Sequence, residues 1–337
     1  MPVSIYLDQL HWIHLAQAHT SHKNGERYKE VYQYLLEWRA AGKIVCPLSL
    51  THYMELYATG SYRQRTDVAT VMSTLSGFRT IASTSVLRRA EIEQALHKRF
   101  GKPEGPMQPQ PFGFGVSYAA NGENRMMKIH GKGSSMESLA AAVGGIEKIK
   151  ELECEFTAMA EFEVLRGPHE SKVQELRDKY GYAPEEAEEV ARKRAAQEEE
   201  LAQHLIADPS RKRNLDNIVT ARYLSWELMD PLMLALTKIG MNILDFLDLG
   251  HEFITQFVHD IPTADVLVAF TKANLKNLNR TWKKNDIHDM DALAVAIPYC
   301  NVVVTEKHAY TQMFNAGMEQ KYDTKLFRNV EDLLGVI

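Results

Sequence analysis

Short apolar runs at the two ends of this chain, each followed by a helical pattern, restrict it to an α/β architecture. Val3-Ser4-Ile5-Tyr6-Leu7 is a strand-length run ended by Asp8, and Leu10, Trp12, Ile13 and Leu15 follow on a helix. Residues 26 to 40 carry Tyr28, Val31, Tyr32, Leu35 and Leu36 at helical spacing, and Gly42 stops that helix. Ile44-Val45-Cys46 is a second strand. Pro47 and Ser49 open a helix holding Tyr53, Met54, Leu56 and Tyr57, which Gly60 ends. A helix over 68–75 and a third strand over 78–82 follow. Strands separated by helices favour a parallel sheet. The same alternation returns late, as a helix over 286–299, a strand over 301–305, a helix over 307–318, a short strand over 325–328 and a closing helix over 329–336.

The middle reads differently. Residues 86–99 are a charged helix, and 101–135 are rich in Gly, Pro and polar side chains. From 136 to about 258 nearly everything is helix-compatible. The stretch 183–204, with Glu185, Glu186, Glu188, Glu189, Arg192, Lys193 and Arg194, is expected to be a solvated helix face or a coiled-coil arm. The expected organisation is a sheet domain in two halves, 1–85 and 259–337, separated by a large, mostly α-helical insertion over 86–258. Within it, 101–135 is expected to be a flexible loop.

Composition removes several function classes. A chain of 337 residues can bury a full core, and its formal net charge of −5 gives no global surplus for nucleic acid. Binding of that kind must rest on a local patch. Three cysteines without CxxC spacing read as reduced thiols. With no signal peptide and no membrane-length apolar run, the expectation is a cytoplasmic protein with no membrane partner.

Four acidic positions stand at the edges of the apolar segments, where the C-terminal rim of a parallel sheet would gather them. Asp8 follows the first strand and precedes a helix, so it reads as an N-cap, as a rim ligand, or as both. Glu55 sits among apolar residues of its helix and reads as an exposed charge or a ligand. Asp286 and Asp289, three apart, share a side of the first turn of their helix, while Asp291 points away and reads as a solvated charge. Thr305-Glu306 closes the late strand. Clustered carboxylates repel unless a hard cation lies among them, and oxygen ligands suit Mg²⁺ or Mn²⁺. Metal-dependent phosphodiester chemistry is therefore the leading expectation.

The order of these stretches (Ile5-Tyr6-Leu7-Asp8, then Pro47-Leu48-Ser49 through Glu55, then Asn285 through Glu306) resembles a PIN (PilT N-terminus-like) nuclease domain. The resemblance covers about the first 85 and the last 80 residues. It implies metal roles for Asp8, Glu55 and Asp289, with Asp286 as an added acid and Glu306 in support. It also implies one or two Mg²⁺ or Mn²⁺ ions activating water against a phosphodiester, and RNA as the substrate. Asp289 lies sixteen positions before Thr305, near the family spacing. The family's usual Asp after the strand-end Thr is replaced here by Glu306. An endoribonuclease acting as a toxin or phage-defence effector is compatible with this reading.

Other signals are weaker. Lys272, Lys276, Arg280, Lys283 and Lys284, with Trp282 among them, are either a nucleic-acid track towards the acids or a solvated basic face; the Thr305 hydroxyl at the rim can hold a carboxylate, a water or a phosphate oxygen of a nucleic acid. His11, His14, His19 and His22 lack the companions of a zinc site and read as surface histidines. His52 and His308 have structural roles by default. Gly113-Phe114-Gly115 and Gly131-Lys132-Gly133-Ser134-Ser135 lack P-loop spacing and suggest a flap over the substrate. The rival expectation is a catalytically silent PIN-like scaffold whose insertion binds a protein partner or builds a homo-oligomer. A haloacid-dehalogenase-type phosphatase ranks last, because Leu10 stands where its second Asp belongs.

Overall fold

The computed structural model describes residues 2–59, 61–130, 136–277 and 280–335. Six strands among them form two sheets: β1 (Val3–Leu7), β2 (Ile44–Val45), β3 (Arg79–Ile81), β4 (Phe112–Phe114), β5 (Val302–Val304) and β6 (Lys325–Phe327). The central sheet is parallel, in the order β2-β1-β5-β6. Ile5 stands opposite Val302 and Leu7 opposite Val304. Alternation along the strands splits their side chains between two cores. Ile5, Leu7, Val302 and Val304 pack with Trp12, Leu15 and Leu35, whereas Tyr6 and Val303 face Ile287, Leu293 and Ala296. Burial on both faces explains why β1 and β5 are continuous apolar runs.

Parallel strands put all their C-terminal ends on one edge, so residues about three hundred positions apart become neighbours. The Asp8 N–H donates to the Val304 carbonyl at 3.0 Å, and the Thr305 N–H to the Phe327 carbonyl at 2.9 Å.

The third strand departs from expectation. β3 pairs antiparallel with β4, and among the described residues an isolated bridge between Leu48 and Thr80 joins it to the chain just beyond β2. The partner of β3 comes from the Gly/Pro-rich segment 101–135, expected to be a flexible loop. There, Gly113 is required because a Cβ would lie 2.1 Å from the Tyr118 ring, and Gly115 takes φ +77. A helix over Gly115–Asn121 follows. The helix Ile146–Arg166 grips this segment from outside: Glu161 accepts from the Val116 N–H at 2.9 Å, and Glu153 from the Ile129 N–H at 3.1 Å. Gly60 and residues 131–135 lie outside the described residues.

Smaller differences concern helix ends. The 26–40 segment starts as a tight 3₁₀ turn over Lys23–Tyr28 and becomes α-helical over Lys29–Ala40. The 307–318 helix breaks at Gly317 into Lys307–Asn315 and Met318–Tyr322. The closing helix is a 3₁₀ turn, Val330–Gly335.

The helical middle is no detached arm. The charged helix Pro184–Ala207 keeps a polar outer face, but its inner stripe of Ala191, Ala195 and Ala202 packs into the core beside the helix Lys284–Tyr299. Small side chains there allow close approach. Val219, Leu232, Phe246 and Phe257 join the same core as Val266 and Leu293. Among the described residues, no helix is long and apolar enough to cross a membrane.

Candidate functional site

β1 delivers Asp8 to the rim, where it caps the helix Gln9–His19. Its Oδ1 accepts from the His11 N–H at 3.4 Å and its Oδ2 from the Glu306 N–H at 2.7 Å. The second bond ties the end of β1 to the end of β5. Asp8 is thus both an N-cap and a rim acid.

Glu55 is placed by His52, one helical turn earlier. The Ser49 N–H donates to His52 Nδ1 at 2.9 Å, and His52 Nε2 donates to the Leu7 carbonyl at 2.8 Å. This fixes the tautomer and locks the helix Leu50–Tyr57 to the end of β1. Burial drives the His52 pKa down to about 3, so the ring stays neutral. His52 is structural, and it fixes the position of Glu55.

Asp286 and Asp289 share one helix and meet different fates. Asp286 accepts from the Lys283 N–H at 2.8 Å, capping the start of the helix, and pairs with the Arg280 guanidinium. Expected among the metal ligands, it does not line the cleft; its oxygens are engaged in capping and in the ion pair. Asp289, one turn on, receives no hydrogen bond among the described residues and faces the cleft. Asp291 is not a freely solvated charge. It holds Arg194 through two bonds of 2.6 and 3.0 Å, joining its helix to the charged helix.

Asp8, Glu55, Asp289 and Glu306 line one cleft of about 320 Å³. Deeper in, Asp8, Glu55, Asp289 and Thr305 surround a cavity of about 10 Å³, room for one water-sized species. Burial, then the charge of Glu306, raises the Asp8 pKa to about 7. Burial, then the charges of Glu55 and Asp8, raises Asp289 to about 8. Like charges crowded in a desolvated place resist ionisation, and a cation relieves that resistance.

Two lining residues carry no sequence expectation. His288 is buried, and neither ring nitrogen has a hydrogen-bond partner; Nδ1 lies 3.5 Å from Glu55 Oε1. The Gln9 amide is likewise unpartnered at both ends. Buried polar groups are normally satisfied, so orphans at a cleft wall mark where a ligand would make contact. Their adjacency to Asp8 and Asp289 in sequence was the available signal.

The donor set is hard oxygen, which fits Mg²⁺ or Mn²⁺. Among the described residues, no group of three or more His, Cys, Asp or Glu side chains is arranged to hold a metal ion as it stands. Both Asp8 oxygens are engaged by backbone N–H groups. Mg²⁺ sites commonly use one or two carboxylates with water completing the shell, so the residues present still suit such an ion.

The expected basic track does not form one surface. Lys284 lines the cleft and pairs with Glu188 at 3.1 Å. Arg280 is taken by Asp286 and Asn274, and Lys272 by Asp216. Trp282 is buried, its backbone N–H donating to Glu199. Lys283 is an exposed cap residue, and Lys276 lines a different cavity. Thr305 is buried beside Asp8.

Of the four histidines expected at the surface, His19 and His22 are exposed, His14 is half-buried and His11 departs from expectation. His11 is buried, not on the surface, and burial lowers its pKa to about 4. His14 stacks on Tyr28 with ring centroids 4.3 Å apart. His19 bonds the Tyr32 hydroxyl at 3.1 Å, and His22 caps the first 3₁₀ turn. No described residue of the 101–135 segment lines the cleft, which removes the flap expectation for that part.

Comparison of the chain with family models, curated proteins and solved structures returns no match.

Proposed function

We propose that this chain is a divalent-metal-dependent nuclease of the PIN type, with RNA as its substrate. One observation carries the reading. Asp8, Glu55, Asp289 and Glu306, from four separate segments, converge on one cleft at the C-terminal edge of a parallel sheet. In this proposal Asp8, Glu55 and Asp289 hold Mg²⁺ or Mn²⁺, with Glu306 at the margin. Such an ion supplies Lewis-acid stabilisation of charge developing on a phosphodiester. Lys284, at the mouth, attracts the nucleic-acid backbone. Gln9, Asn285 and His288 offer hydrogen bonds to a phosphate or a sugar. Neutral His52 and the Asp8–Glu306 bond keep the carboxylates in register.

The test is incubation of the protein with labelled tRNA, mRNA and single-stranded DNA, with and without Mn²⁺. Mn²⁺-dependent cleavage of RNA, lost in Asp289→Asn, supports the proposal. Equal cleavage by that variant refutes it.

A second reading draws on the engaged oxygens of Asp8 and the lack of a ready ligand group among the described residues. It makes the chain a catalytically silent PIN-like scaffold. That reading requires no product from any of the three nucleic acids and a melting temperature indifferent to Mn²⁺.

A further inference from the structure

A second cavity, of about 560 Å³, lies between the helices Pro262–Leu275 and Lys307–Asn315. Cleft and groove flank the first turn of the latter helix, Glu306 lining one and His308 the other. The groove's chemistry is opposite to that of the cleft. His308, Gln312 and Asn315 recur at helical spacing on one wall, and Lys272 and Lys276 on the other. Lys321 closes the end.

Two carboxylates serve three cationic side chains here. Asp265 pairs with His259 at 2.6 Å and with Lys321 at 2.7 Å; Asp216 pairs with Lys272 and meets His259 at 3.4 Å. The bond to Asp265 raises the His259 pKa, favouring its charged form. Lys276 has no carboxylate partner among the described residues. The groove therefore carries surplus positive charge in a chain whose total is −5.

A small anion alone would leave most of this volume unused. Ala269, Ala273 and Met318 supply an apolar wall. Asn274 Oδ1 accepts from Gln312 Nε2 at 2.7 Å, which leaves Gln312 Oε1 and Asn274 Nδ2 buried without partners. An unpaired lysine, an apolar wall and an unused acceptor suit a ligand with a phosphate at one end and an N–H-bearing ring at the other. Pockets of about 300–1,000 Å³ suit ligands of that size.

We propose that this groove binds a nucleoside monophosphate, its phosphate held by Lys276 and its base set against the alanine wall within reach of Gln312. The assignment does not depend on the cleft being catalytic. The unit is either a free nucleotide or the phosphorylated end of a strand.

The full chain is titrated calorimetrically, in EDTA, with AMP, UMP, adenosine, inorganic phosphate and a 5′-phosphorylated trinucleotide. A nucleoside monophosphate is expected to bind at least about tenfold tighter than adenosine or phosphate. Lys276→Glu weakens it by at least about tenfold, Gln312→Leu weakens AMP without affecting phosphate, and Asp289→Asn leaves it unchanged. A trinucleotide tighter than AMP assigns the groove to a strand end, and the reverse assigns it to a free nucleotide. As a measurement independent of variant folding, 8-azido-AMP is expected to crosslink to peptides from 259–276 or 307–321. Absence of saturable binding, retention in Lys276→Glu, loss in Asp289→Asn, or crosslinks only elsewhere would overturn the proposal.

Discussion

The helix Ile146–Arg166 and the acidic cleft both bury carboxylates, and they use them in opposite ways. On the helix, Glu153, Thr157 and Glu161 stand one turn apart and each accepts a backbone N–H from the segment outside, those of Ile129, Met127 and Val116. That Ile129 bond, with Lys128, lowers the Glu153 pKa. In the cleft, Asp289 accepts nothing among the described residues and is pushed up to about 8. Position in an apolar helix does not separate the two kinds of acid; partners do. A buried carboxylate with N–H donors ties chain segments together, as Asp8 also ties β1 to β5, whereas Asp289, with no donor among the described residues and other carboxylates before it, is left in need of a cation or a proton.

The largest expected effect distinguishes the regions outright. Outer partners of metal ligands alone are worth about 10–100-fold in affinity or activity, so Asp8→Asn and Asp289→Asn should each lower Mn²⁺-dependent cleavage by more than about hundredfold. Single-turnover rates on labelled RNA measure this. Glu161→Ala should leave those rates unchanged.

Next comes pH. Asp8 and Asp289, with pKa values of about 7 and 8 against ordinary values of 3.8, bind protons in the fold that the unfolded chain has released. Without metal, stability therefore falls as pH rises from about 4 through about 8, and the loss is complete above that range. Asp289→Asn should flatten the upper part of this slope in thermal melts. Because the same protons compete with the metal, Mn²⁺ affinity should drop by about hundredfold or more from pH 9 to pH 6.

On the other side of the comparison, Glu161→Ala strands the Val116 N–H and should cost about 1–3 kcal/mol in urea unfolding. The smallest effect belongs to Asp286→Ala, which removes a helix cap worth about 0.5–2 kcal/mol. Its Mn²⁺ affinity should change by less than about tenfold. A larger loss would move Asp286 from the capping role into the site.

What the sequence reveals follows the range of the interactions. β1, β2, β5 and β6 are legible because apolar runs give way to helical spacing within a few residues, and that junction also marks Asp8 and Glu306. Glu55 is legible from its turn of helix. Asp286 is ambiguous because a capping acid and a rim acid occupy the same first turn, and only Arg280 separates them. The antiparallel β3–β4 pair escapes because its partner strand hides in a Gly/Pro-rich stretch and depends on Gly113 meeting Tyr118. The basic run looks continuous in sequence but is divided among Glu188, Asp286 and Asp216, carboxylates brought in by folding. His11 reads as a surface residue because burial of its helix comes from packing that no local pattern records.

On the proposed function, the Asp8, Glu55 and Asp289 carboxylates form a divalent-cation site. Isothermal titration of Mn²⁺ at pH 8.5 into the native chain, Asp289→Asn and Glu161→Ala tests it most directly. Saturable binding is expected for the native chain and Glu161→Ala, and none for Asp289→Asn. No binding by the native chain, or equal binding by Asp289→Asn, would contradict it.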